Sequence, residues 1–399
     1  MYSLDDLIGR ARELGRDKFL PRAAEYDREG KFPTENYNDL RDAGFLSLVI
    51  PEQYGGTGCS YADYMRVSAE LGKWCGATAL TFNMHTSSML WSGPLADDLP
   101  MDDAQRTLHH QRRGDIYAGV IDAGHIFAQP FSEPNSAAAA GKAPFGTEAE
   151  PVDGGYLVNG AKHFASLSGH ADFYGVLCTL AGEDKPTVRN TVYLGVDGTS
   201  PGFSISGDWD VLGMRGTVSN NLAFNQVFVP TEREMLPTGM YFQAARDWPH
   251  MFMTLCPTYM GIAAAAFEFT CQYLRGEVPG GPAAGSSKDS PIKQFAVAQM
   301  RIKLEQTLAL FERAITDAKY QPSKSERLRA YAAQYTVMEN ANEICSEAIR
   351  ICGGRSIFKQ LRLERLYRDS RCGSLMLPWT PDICVERLGS ESLNDPFEF

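Results

Sequence analysis

The sequence lacks a long uninterrupted apolar run, although 44% of its 399 residues are hydrophobic. A helix that crosses a membrane needs about 20 consecutive, mostly apolar residues, so we expect no membrane span. The opening segment MYSLDDLIGRARELGRDKF carries charges throughout and has none of the apolar core that a secretory signal requires. Together these absences predict a cytoplasmic protein.

The sequence also has fewer basic than acidic residues. Lys and Arg number 38 against 49 Asp and Glu, which gives a formal net charge of −11. An acidic chain repels phosphate backbones, so nucleic acid is not expected as a partner. A small anionic substrate would need a local basic patch on this acidic protein.

The nine cysteines are scattered, odd in number and never spaced as Cys-x-x-Cys. This pattern argues against a disulfide framework and against a zinc site, and it favours reduced thiols. The seven histidines also lack the spacing of metal ligands. We therefore expect no metal.

Local patterns divide the chain into three parts. Residues 1–120 and 236–399 read as helical, whereas residues 121–235 contain short β-branched and aromatic runs separated by Gly-containing turns. These runs are YGVLCTL, TVYLGVD and LAFNQVFVP. The predicted fold class is α+β, with an N-terminal α-helical domain, a central antiparallel β domain and a C-terminal helical domain. A stretch rich in Gly, Pro and Ser at 275–291 is predicted to be a mobile loop.

Five segments follow one another in this layout. They are FPTENYNDLRDAGFLSLVIPEQYGG, FSEPNS, GGYLVNGAKHFAS, LGMRGTVSNNLAFNQVFVP and ICGGRSIFKQLRLERLYRDSR. They resemble, in the same order, five segments of the acyl-CoA dehydrogenase superfamily. These are the early helix with its Gly-Gly loop, the Thr-Glu-Pro segment, the Asn-Gly-x-Lys segment, the closing strand pair and the Arg-Asp helix.

The resemblance implies the fold of these flavin enzymes, with a C-terminal four-helix bundle. It implies FAD as cofactor, a homodimer or homotetramer, and an acyl thioester substrate carried by CoA or acyl carrier protein. The implied reaction is α,β-dehydrogenation with hydride transfer to flavin N5, and an electron acceptor protein or oxygen takes the electrons. A flavin-dependent monooxygenase and a non-catalytic flavin-binding relative remain as alternatives on the same fold.

Carried over position by position, the resemblance assigns contacts to the flavin ring. Phe131 and Phe164 would line the ring, Ser132 would meet its pyrimidine edge, and Ser166 would lie close to N5. A flavin needs such hydrogen-bond partners and an apolar wall, because the protein's task is to place and tune the cofactor. The further cofactor contacts implied are Gln129, Thr380 and Asp382.

The resemblance also implies a site for the diphosphate side of FAD. The Gly353–Gly354 loop would serve a neighbouring subunit, since a Gly pair permits φ > 0 and close approach of backbone amides to a pyrophosphate. Gln294 would assist it, and the Arg350 guanidinium would pair with the diphosphate.

Three features depart from the family pattern. The Arg-x-x-Phe-Gly segment is replaced by YLRGEVPGGPAAGSSKDSPIKQ, in which only Gln294 keeps its place, and the Gly-Ser-Asp after Thr-Glu-Pro is absent. The usual catalytic Glu falls on Pro378. The other known position for this base, within WPHMFMTLCPTYMG, holds no carboxylate.

A positioned base supplies about 10²–10⁴-fold of rate in proton transfer, so another residue would have to replace the missing Glu. Three residues are candidates. His85, within FNMHTSS, belongs to the N-terminal helical part, and Asp382 and Glu386 follow Pro378 by one and two helical turns. The sequence leaves the catalytic base unidentified among them.

Overall fold

The computed structural model describes residues 2–139, 141–182, 184–282 and 286–394. Part of the predicted loop at 275–291, residues 283–285, lies outside the described residues. The first part of the chain is helical. Its α-helices are α1 (Leu4–Leu14), α2 (Leu20–Glu29), α3 (Thr34–Asp42), α4 (Tyr61–Gly72), α5 (Gly76–Trp91) and α6 (Asp103–Asp122).

Helix α5 lies at the centre of this first part. It is buried along almost its whole length, because it is built from small and apolar side chains. Leu80, Met84, Ser87 and Trp91 follow one another at steps of four, three and four residues, so they share one face of the helix. All four side chains line the cavity described below.

The central part is a single mixed sheet, and a short helix, α7 (Ser136–Ala139), lies between its first two strands. The strands are β1 (Phe127–Ala128), β2 (Glu148–Val152), β3 (Gly155–Ala165), β4 (Phe173–Leu180), β5 (Thr191–Asp197), β6 (Phe203–Ser206), β7 (Asn220–Pro230) and β8 (Glu234–Leu236). Their order is β6-β7-β3-β2-β4-β5-β8, with β1 beside β4. Most neighbours are antiparallel, but β4 runs parallel to both β1 and β2. The three predicted strand runs lie in β4, β5 and β7.

One irregularity of the sheet shapes the site. The pairing of β3 with β7 shifts register between Lys162 and Ala165. Such bulges commonly re-aim side chains beside functional sites. Here the bulge contains Phe164, which adopts φ 53°.

The last part is again helical. Its α-helices are α8 (Met240–Asp247), α9 (Cys256–Arg275), α10 (Pro291–Thr316), α11 (Lys324–Cys352), α12 (Arg362–Gly373) and α13 (Pro381–Asn394). Helix α11 is the hub, because α9, α10, α12 and α13 all pack against it. A capping box of Ser323 and Glu326 begins α11, and Gly353 ends it at φ 75°.

The predicted α+β class is confirmed, with helices on both sides of a central sheet. Within the described ranges the last helix before the sheet ends at Asp122, and the first helix after the sheet begins at Met240. None of the helices in those ranges combines the length and the apolar character that a membrane crossing requires.

Candidate active site

A cavity of 580 Å³ lies where the three parts of the chain meet. Helix α5 forms one wall, the sheet contributes a second, and the segments before α9 and after α12 close it. The sheet side includes Gln129, Phe131, Ser132, Glu133, His163, Phe164 and Ser166. The C-terminal side includes Phe252, Thr254, Arg371, Cys372, Leu375, Met376 and Pro378. The cavity therefore joins residues from several of the sequence motifs.

Phe164 is the most exposed aromatic residue of the cavity wall. It is 67% exposed although it lies in a concave site, and its ring meets Trp209 edge-on with 6.2 Å between centroids. A large apolar side chain left this open in a pocket indicates a surface that a ligand covers.

Unusual backbone conformations cluster on the sheet side of the cavity. Phe164, Leu167, Met214 and Val218 all have positive φ, between 44° and 67°. Such conformations cost non-glycine residues about 1–3 kcal/mol each and persist only where the surrounding structure fixes them. Two of the four, Phe164 and Met214, line the cavity itself.

Three hydroxyl groups form a chain beside this backbone. Ser166 Oγ lies 2.8 Å from Ser219 Oγ, and Ser219 Oγ lies 2.8 Å from Thr217 Oγ1. Thr217 also donates to the backbone oxygen of Met214 at 2.8 Å. The chain fixes the Ser166 hydroxyl at the cavity wall, with its direction set by two buried neighbours.

A buried ion pair joins the two motif segments of the sheet side. Lys162 Nζ donates to Glu133 Oε1 at 2.7 Å and to the backbone oxygen of Leu177 at 2.7 Å. Glu133 also accepts from the backbone nitrogens of Gly146 and Thr147 at 2.6 and 3.0 Å. Burial acts to raise the pKa of Glu133, but Lys162 and these donors outweigh it and hold the pKa below its usual value. Glu133 is thus committed to Lys162.

Two residues of the same segment, Gln129 and Ser132, differ in whether their side chains have hydrogen-bond partners. Gln129 is buried, accepts from Ser88 at 3.0 Å and from Tyr193, and donates to the Gly175 carbonyl at 3.3 Å. The Ser132 side chain has no hydrogen-bond partner among the described residues, although its backbone pairs with His163. Ser132 therefore has a hydroxyl available to a ligand, and Gln129 serves mainly to support the wall.

The wall opposite contains the position of the missing base. Pro378 lines the cavity, and the next residue, Trp379, is buried 4.4 Å from the Tyr331 ring and 5.7 Å from the Phe252 ring. Gln334 Nε2 donates to the Trp379 carbonyl at 3.3 Å. Among the described residues that line the cavity, Glu133 is the only one with a carboxylate.

His85 does not provide the replacement base, which corrects one interpretation of the sequence. It is fully buried, its Nε2 donates to the Leu46 carbonyl at 2.8 Å, and its Nδ1 accepts from the Phe127 backbone at 3.1 Å. Burial lowers the pKa of His85 to about 4. Both nitrogens are occupied, so His85 ties α5 to its neighbours and does not line the cavity.

The two acidic candidates also lie away from the cavity, so they are corrected in the same way. Asp382 and Glu386 are exposed on α13, and Glu386 Oε2 lies 3.6 Å from Lys142 Nζ. Thr380 lies just before α13, where its Oγ1 accepts from the Ile383 backbone at 3.5 Å. None of the three lines the cavity of this chain.

The residues predicted for the diphosphate side form a separate surface group. Gln294 is exposed and donates to the Lys288 carbonyl at 3.0 Å, and Arg350 is exposed and paired with Glu347. Gly353 and Gly354 are exposed at the end of α11, and a side chain at Gly354 would meet no atom within 4 Å. The fold does not bring these four residues to the cavity of their own chain.

The sequence interpretation missed several residues of the cavity wall. His163 lines it half-buried, beside Phe164, and its imidazole has no hydrogen-bond partner among the described residues. Its position inside the segment GGYLVNGAKHFAS was a signal that could have identified it. Ser219 and Trp209 come from the sheet and its loops, and no local pattern links them to the motif of Ser166.

Family comparisons cover most of the chain. The models described as Acyl-CoA dehydrogenase, N-terminal domain, middle domain and C-terminal domain match residues 4–96, 128–227 and 253–375 respectively. A putative acyl-CoA dehydrogenase, YdbM of Bacillus subtilis (strain 168), is 29% identical over 394 residues, which is 95% of each chain. The mitochondrial short-chain specific acyl-CoA dehydrogenase of Mus musculus is 27% identical over 363 residues, covering 90% of this chain and 83% of its own.

Solved structures share the same architecture. Butyryl-CoA dehydrogenase from Megasphaera elsdenii superimposes with a TM-score of 0.81 at 21% identity and covers 98% of this chain and 99% of its own. The dibenzothiophene monooxygenase TdsC from Paenibacillus sp. A11-2 gives a TM-score of 0.80 at 21% identity, with 98% of both chains covered. At these identities the likeness concerns the fold. With all three domain models matched in order, the chain belongs to the acyl-CoA dehydrogenase superfamily.

Proposed function

We propose that the protein is an FAD-dependent dehydrogenase that introduces an α,β double bond into an acyl thioester carried by CoA or acyl carrier protein. One observation carries the proposal. The cavity collects Phe131, Ser132, Phe164 and Ser166 from two distant motifs on one side and the segment ending at Pro378 on the other. This grouping supports a flavin ring held on the sheet side and a substrate on the side of Pro378.

The side chains present fit a flavin ring. The open face of Phe164 supplies an aromatic wall, the unpartnered Ser132 hydroxyl supplies a polar contact, and Ser166 presents an oriented hydroxyl. The cavity volume of 580 Å³ lies within the roughly 300–1,000 Å³ typical of cofactor and ligand sites. These residues would hold the ring, and the bound flavin would supply the hydride acceptor that the chain itself lacks.

Dehydrogenation removes two hydrogens from the substrate. The α-hydrogen leaves as a proton and its electron pair becomes the new double bond, while the β-hydrogen leaves as a hydride. The chain must therefore provide a proton acceptor and an oriented donor at the hydride-accepting edge. Ser166 is our candidate for the donor, because its hydroxyl lies at the cavity wall. Thr217 donates to the Met214 carbonyl, so Ser219 donates to Thr217 and Ser166 to Ser219, and the Ser166 proton must turn from Ser219 to the ring when the flavin binds.

His163 is our candidate for the proton acceptor. Of the titratable side chains that line the described cavity, Glu133 is paired with Lys162, Arg371 keeps its charge, and burial raises the pKa of Cys372 to about 12. An imidazole without a hydrogen-bond partner among the described residues has a ring nitrogen free to accept a proton. His163→Gln should keep its flavin and slow substrate reduction by about 10²-fold. An unchanged rate would remove His163 from this role.

The proposal also includes the assembly of subunits, because the residues predicted for the diphosphate side of FAD form a separate surface group. Gln294, Arg350 and the Gly353–Gly354 loop lie outside the cavity of their own chain, and we propose that they complete the FAD site of a neighbouring subunit. Exposed apolar side chains near Gln294 support this, since Ile292 and Phe295 are 75% and 67% exposed. Dilution to monomer should then release flavin. A stable monomer that keeps full flavin occupancy in sedimentation would contradict it.

Two experiments test the function itself. The chromophore released by denaturation should be FAD by chromatography, and recovery of FMN or no flavin after reconstitution would contradict the cofactor assignment. Anaerobic titration of the yellow protein with a series of acyl-CoA thioesters should bleach the flavin. Failure of the whole series to bleach it would reject the dehydrogenase.

A flavin-dependent monooxygenase is the second candidate. The observation that favours it is the absence of an uncommitted carboxylate from the described cavity wall, because hydroxylation needs no base for a thioester α-proton. This function predicts no bleaching by acyl-CoA. It predicts rapid reaction with oxygen and a hydroxylated product after external reduction.

A further inference from the structure

Two arginines at the beginning of α12 lack acceptors for their guanidinium groups. Arg362 is the first residue of this helix and Arg365 follows three residues later, so the two side chains share one face. Neither makes an ion pair or a hydrogen bond with any residue that the structure describes. Arg365 is only 8% exposed. A buried charge without a partner is costly, so this arrangement indicates an anion that the chain itself does not supply.

The two guanidinium groups lie where α12 meets α9 and the turn between α4 and α5. Arg362 Cζ is 5.8 Å from the ring centroid of Phe269 in α9. Arg365 lies near the Cys75 thiol in that turn, since its charge opposes the rise in pKa that burial causes there. Helical side chains lean toward the N-terminus of their helix, so both guanidinium groups lie beside the beginning of α12.

Acidic side chains near the two arginines already have other partners. Glu268 Oε1 lies 2.7 Å from Lys73 Nζ, which brings a third cation to the region. Asp369 attracts Arg365, but its Oδ1 accepts from the Met214 backbone at 2.6 Å, and within the described part of the chain no ion pair joins the two. Three cations thus face two carboxylates. The basic cluster, as we call it, consists of Lys73, Arg362 and Arg365.

The beginning of α12 adds backbone donors beside the basic cluster. The preceding residue, Leu361, provides no side-chain acceptor, and the first three N–H groups of the helix have no acceptor in the described ranges. The Glu364 carboxylate in this first turn binds Arg368 at 2.8 Å instead. Free N–H groups and the partial positive charge of a helix N-terminus favour an anion, and phosphate is a common one.

We propose that the basic cluster and the beginning of α12 form a binding site for a phosphate group. Arg362 and Arg365 hold its oxygens, and the first N–H groups of the helix complete the contact. A guanidinium group matches the geometry of phosphate and binds it through paired, charge-assisted hydrogen bonds. Inorganic phosphate and a small phosphate ester present the same oxygens, so both fit. The proposed dehydrogenation does not use this site, and the proposal stands independently of it.

The site lies between two helices that shape the main cavity. Helix α5 begins at Gly76, directly after the turn that Arg365 faces, and forms one wall of the cavity. Helix α12 ends at Gly373, between Cys372 and Leu375, which also line the cavity. None of the three residues of the basic cluster lines the cavity itself. A phosphate group here should therefore stabilise the folded protein without entering the cavity, since a ligand that binds only the folded form shifts the equilibrium toward it.

The test measures thermal unfolding of the flavin-loaded oligomer in phosphate-free buffer with one of four added salts at equal ionic strength. These are inorganic phosphate, glycerol 3-phosphate, acetate and chloride. Inorganic phosphate at about 100 times its Kd should raise the Tm by about 3 °C, whereas acetate and chloride should have little effect. Isothermal titration calorimetry should show one phosphate bound per chain.

The ester identifies the source of the phosphate group. Tighter binding of glycerol 3-phosphate than of inorganic phosphate would support the site and assign it to a phosphorylated small molecule. Equal or weaker binding of the ester would support the site and assign it to free phosphate. No saturable binding of either compound, or the same Tm shift with all four salts, would overturn the proposal.

Variants locate the site. Arg365→Gln should abolish the Tm shift caused by phosphate. In phosphate-free buffer this variant should be at least as stable as the parent, because the substitution removes a buried cation that lacks a partner. Arg313→Gln is the matched control, since it removes the same charge from an exposed residue of α10 whose partner, Asp317, also binds Arg329. The control should keep the full shift.

Three results would contradict this assignment. An Arg365→Gln protein with the phosphate shift of the parent would place the anion elsewhere, and one less stable than the parent without phosphate would make Arg365 a structural residue. If Arg365→Gln does not fold, Arg362→Gln gives the same test at a more exposed position. Phosphate that binds the flavin-free chain but not the flavin-loaded oligomer would also overturn the proposal, since the arginines would then belong to the FAD diphosphate site.

Discussion

Lys162 Nζ lies 2.7 Å from Glu133 Oε1, and both side chains are almost completely buried. The pair links the segment of Ser132 to the segment of Phe164 and Ser166, which approach each other through the backbone bond from His163 to Ser132. A buried pair adds little net stability compared with an apolar replacement, but removal of one partner leaves an uncompensated charge. The pair therefore acts mainly to hold the two segments in register.

Lys162→Met should destabilise the protein by about 3–5 kcal/mol, because Glu133 would remain buried without its cation. It should also lower flavin retention after dialysis, since the two segments that form the sheet side of the site would lose their ion pair. Urea unfolding and the flavin absorbance per chain measure the two effects. The double variant Lys162→Met with Glu133→Gln removes both charges and should recover part of the stability. A single variant within 1 kcal/mol of the parent would contradict this role for the pair.

Ser166→Ala should leave the protein yellow and slow flavin reduction by about 10²-fold, as expected when one hydrogen-bond donor to the reacting ring is lost. Ser168→Ala is the matched control. Its hydroxyl bonds to the Ala165 carbonyl at 2.6 Å and does not line the cavity. Stopped-flow spectroscopy compares the rates of flavin reduction in the two variants. A colourless Ser166→Ala protein, or equal rates for both variants, would show that Ser166 is only a structural residue.

Tyr241→Phe should stabilise the ligand-free protein by about 1 kcal/mol. The Tyr241 hydroxyl is buried and has no hydrogen-bond partner among the described residues, so its removal relieves an uncompensated desolvation cost. Tyr193→Phe is the opposite case, because that hydroxyl donates to Gln129 Oε1 and its loss leaves Ser88 as the other donor to this oxygen. It should cost about 1 kcal/mol, the net value of one hydrogen bond. Thermal unfolding measures the change in stability of both variants. A Tyr241→Phe protein less stable than the parent would contradict the expectation.

Acid should destabilise the protein between pH 6.5 and 4. Burial lowers the pKa of three histidines to about 4, namely His85, His109 and His250. In this pH window their imidazoles bind protons in the unfolded chain and stay neutral in the folded chain. Each histidine then costs up to about 3 kcal/mol. Asp369 acts in the opposite direction, because burial raises its pKa to about 6 and the folded form holds a proton that the unfolded form releases.

The acid effect can be assigned with one variant. The imidazole of His250 is buried and has no hydrogen-bond partner within the described ranges, so His250→Leu removes its titration with little loss of hydrogen bonding. Urea melts at pH 7, 6, 5 and 4.5 should show a shallower pH dependence for this variant than for the parent. Parallel curves would mean that His250 does not contribute.

The sequence predicted more of the fold than of the site. The runs in β4, β5 and β7 and the helical ends follow from local composition and spacing, and the motif order identified the superfamily. The base was harder to predict. A lone histidine in FNMHTSS looks the same whether it is free or occupied, and only the contacts with Leu46 and Phe127 showed that His85 is occupied.

The sequence alone determined the three-part α+β organisation, the family and the replacement of the usual Glu by Pro378, because these are properties of residue types in order. The tertiary structure decided which side chains share the cavity, since that depends on distances between residues far apart in the chain. It paired Glu133 with Lys162 and left the His163 imidazole at the cavity wall without a hydrogen-bond partner in the described part of the chain.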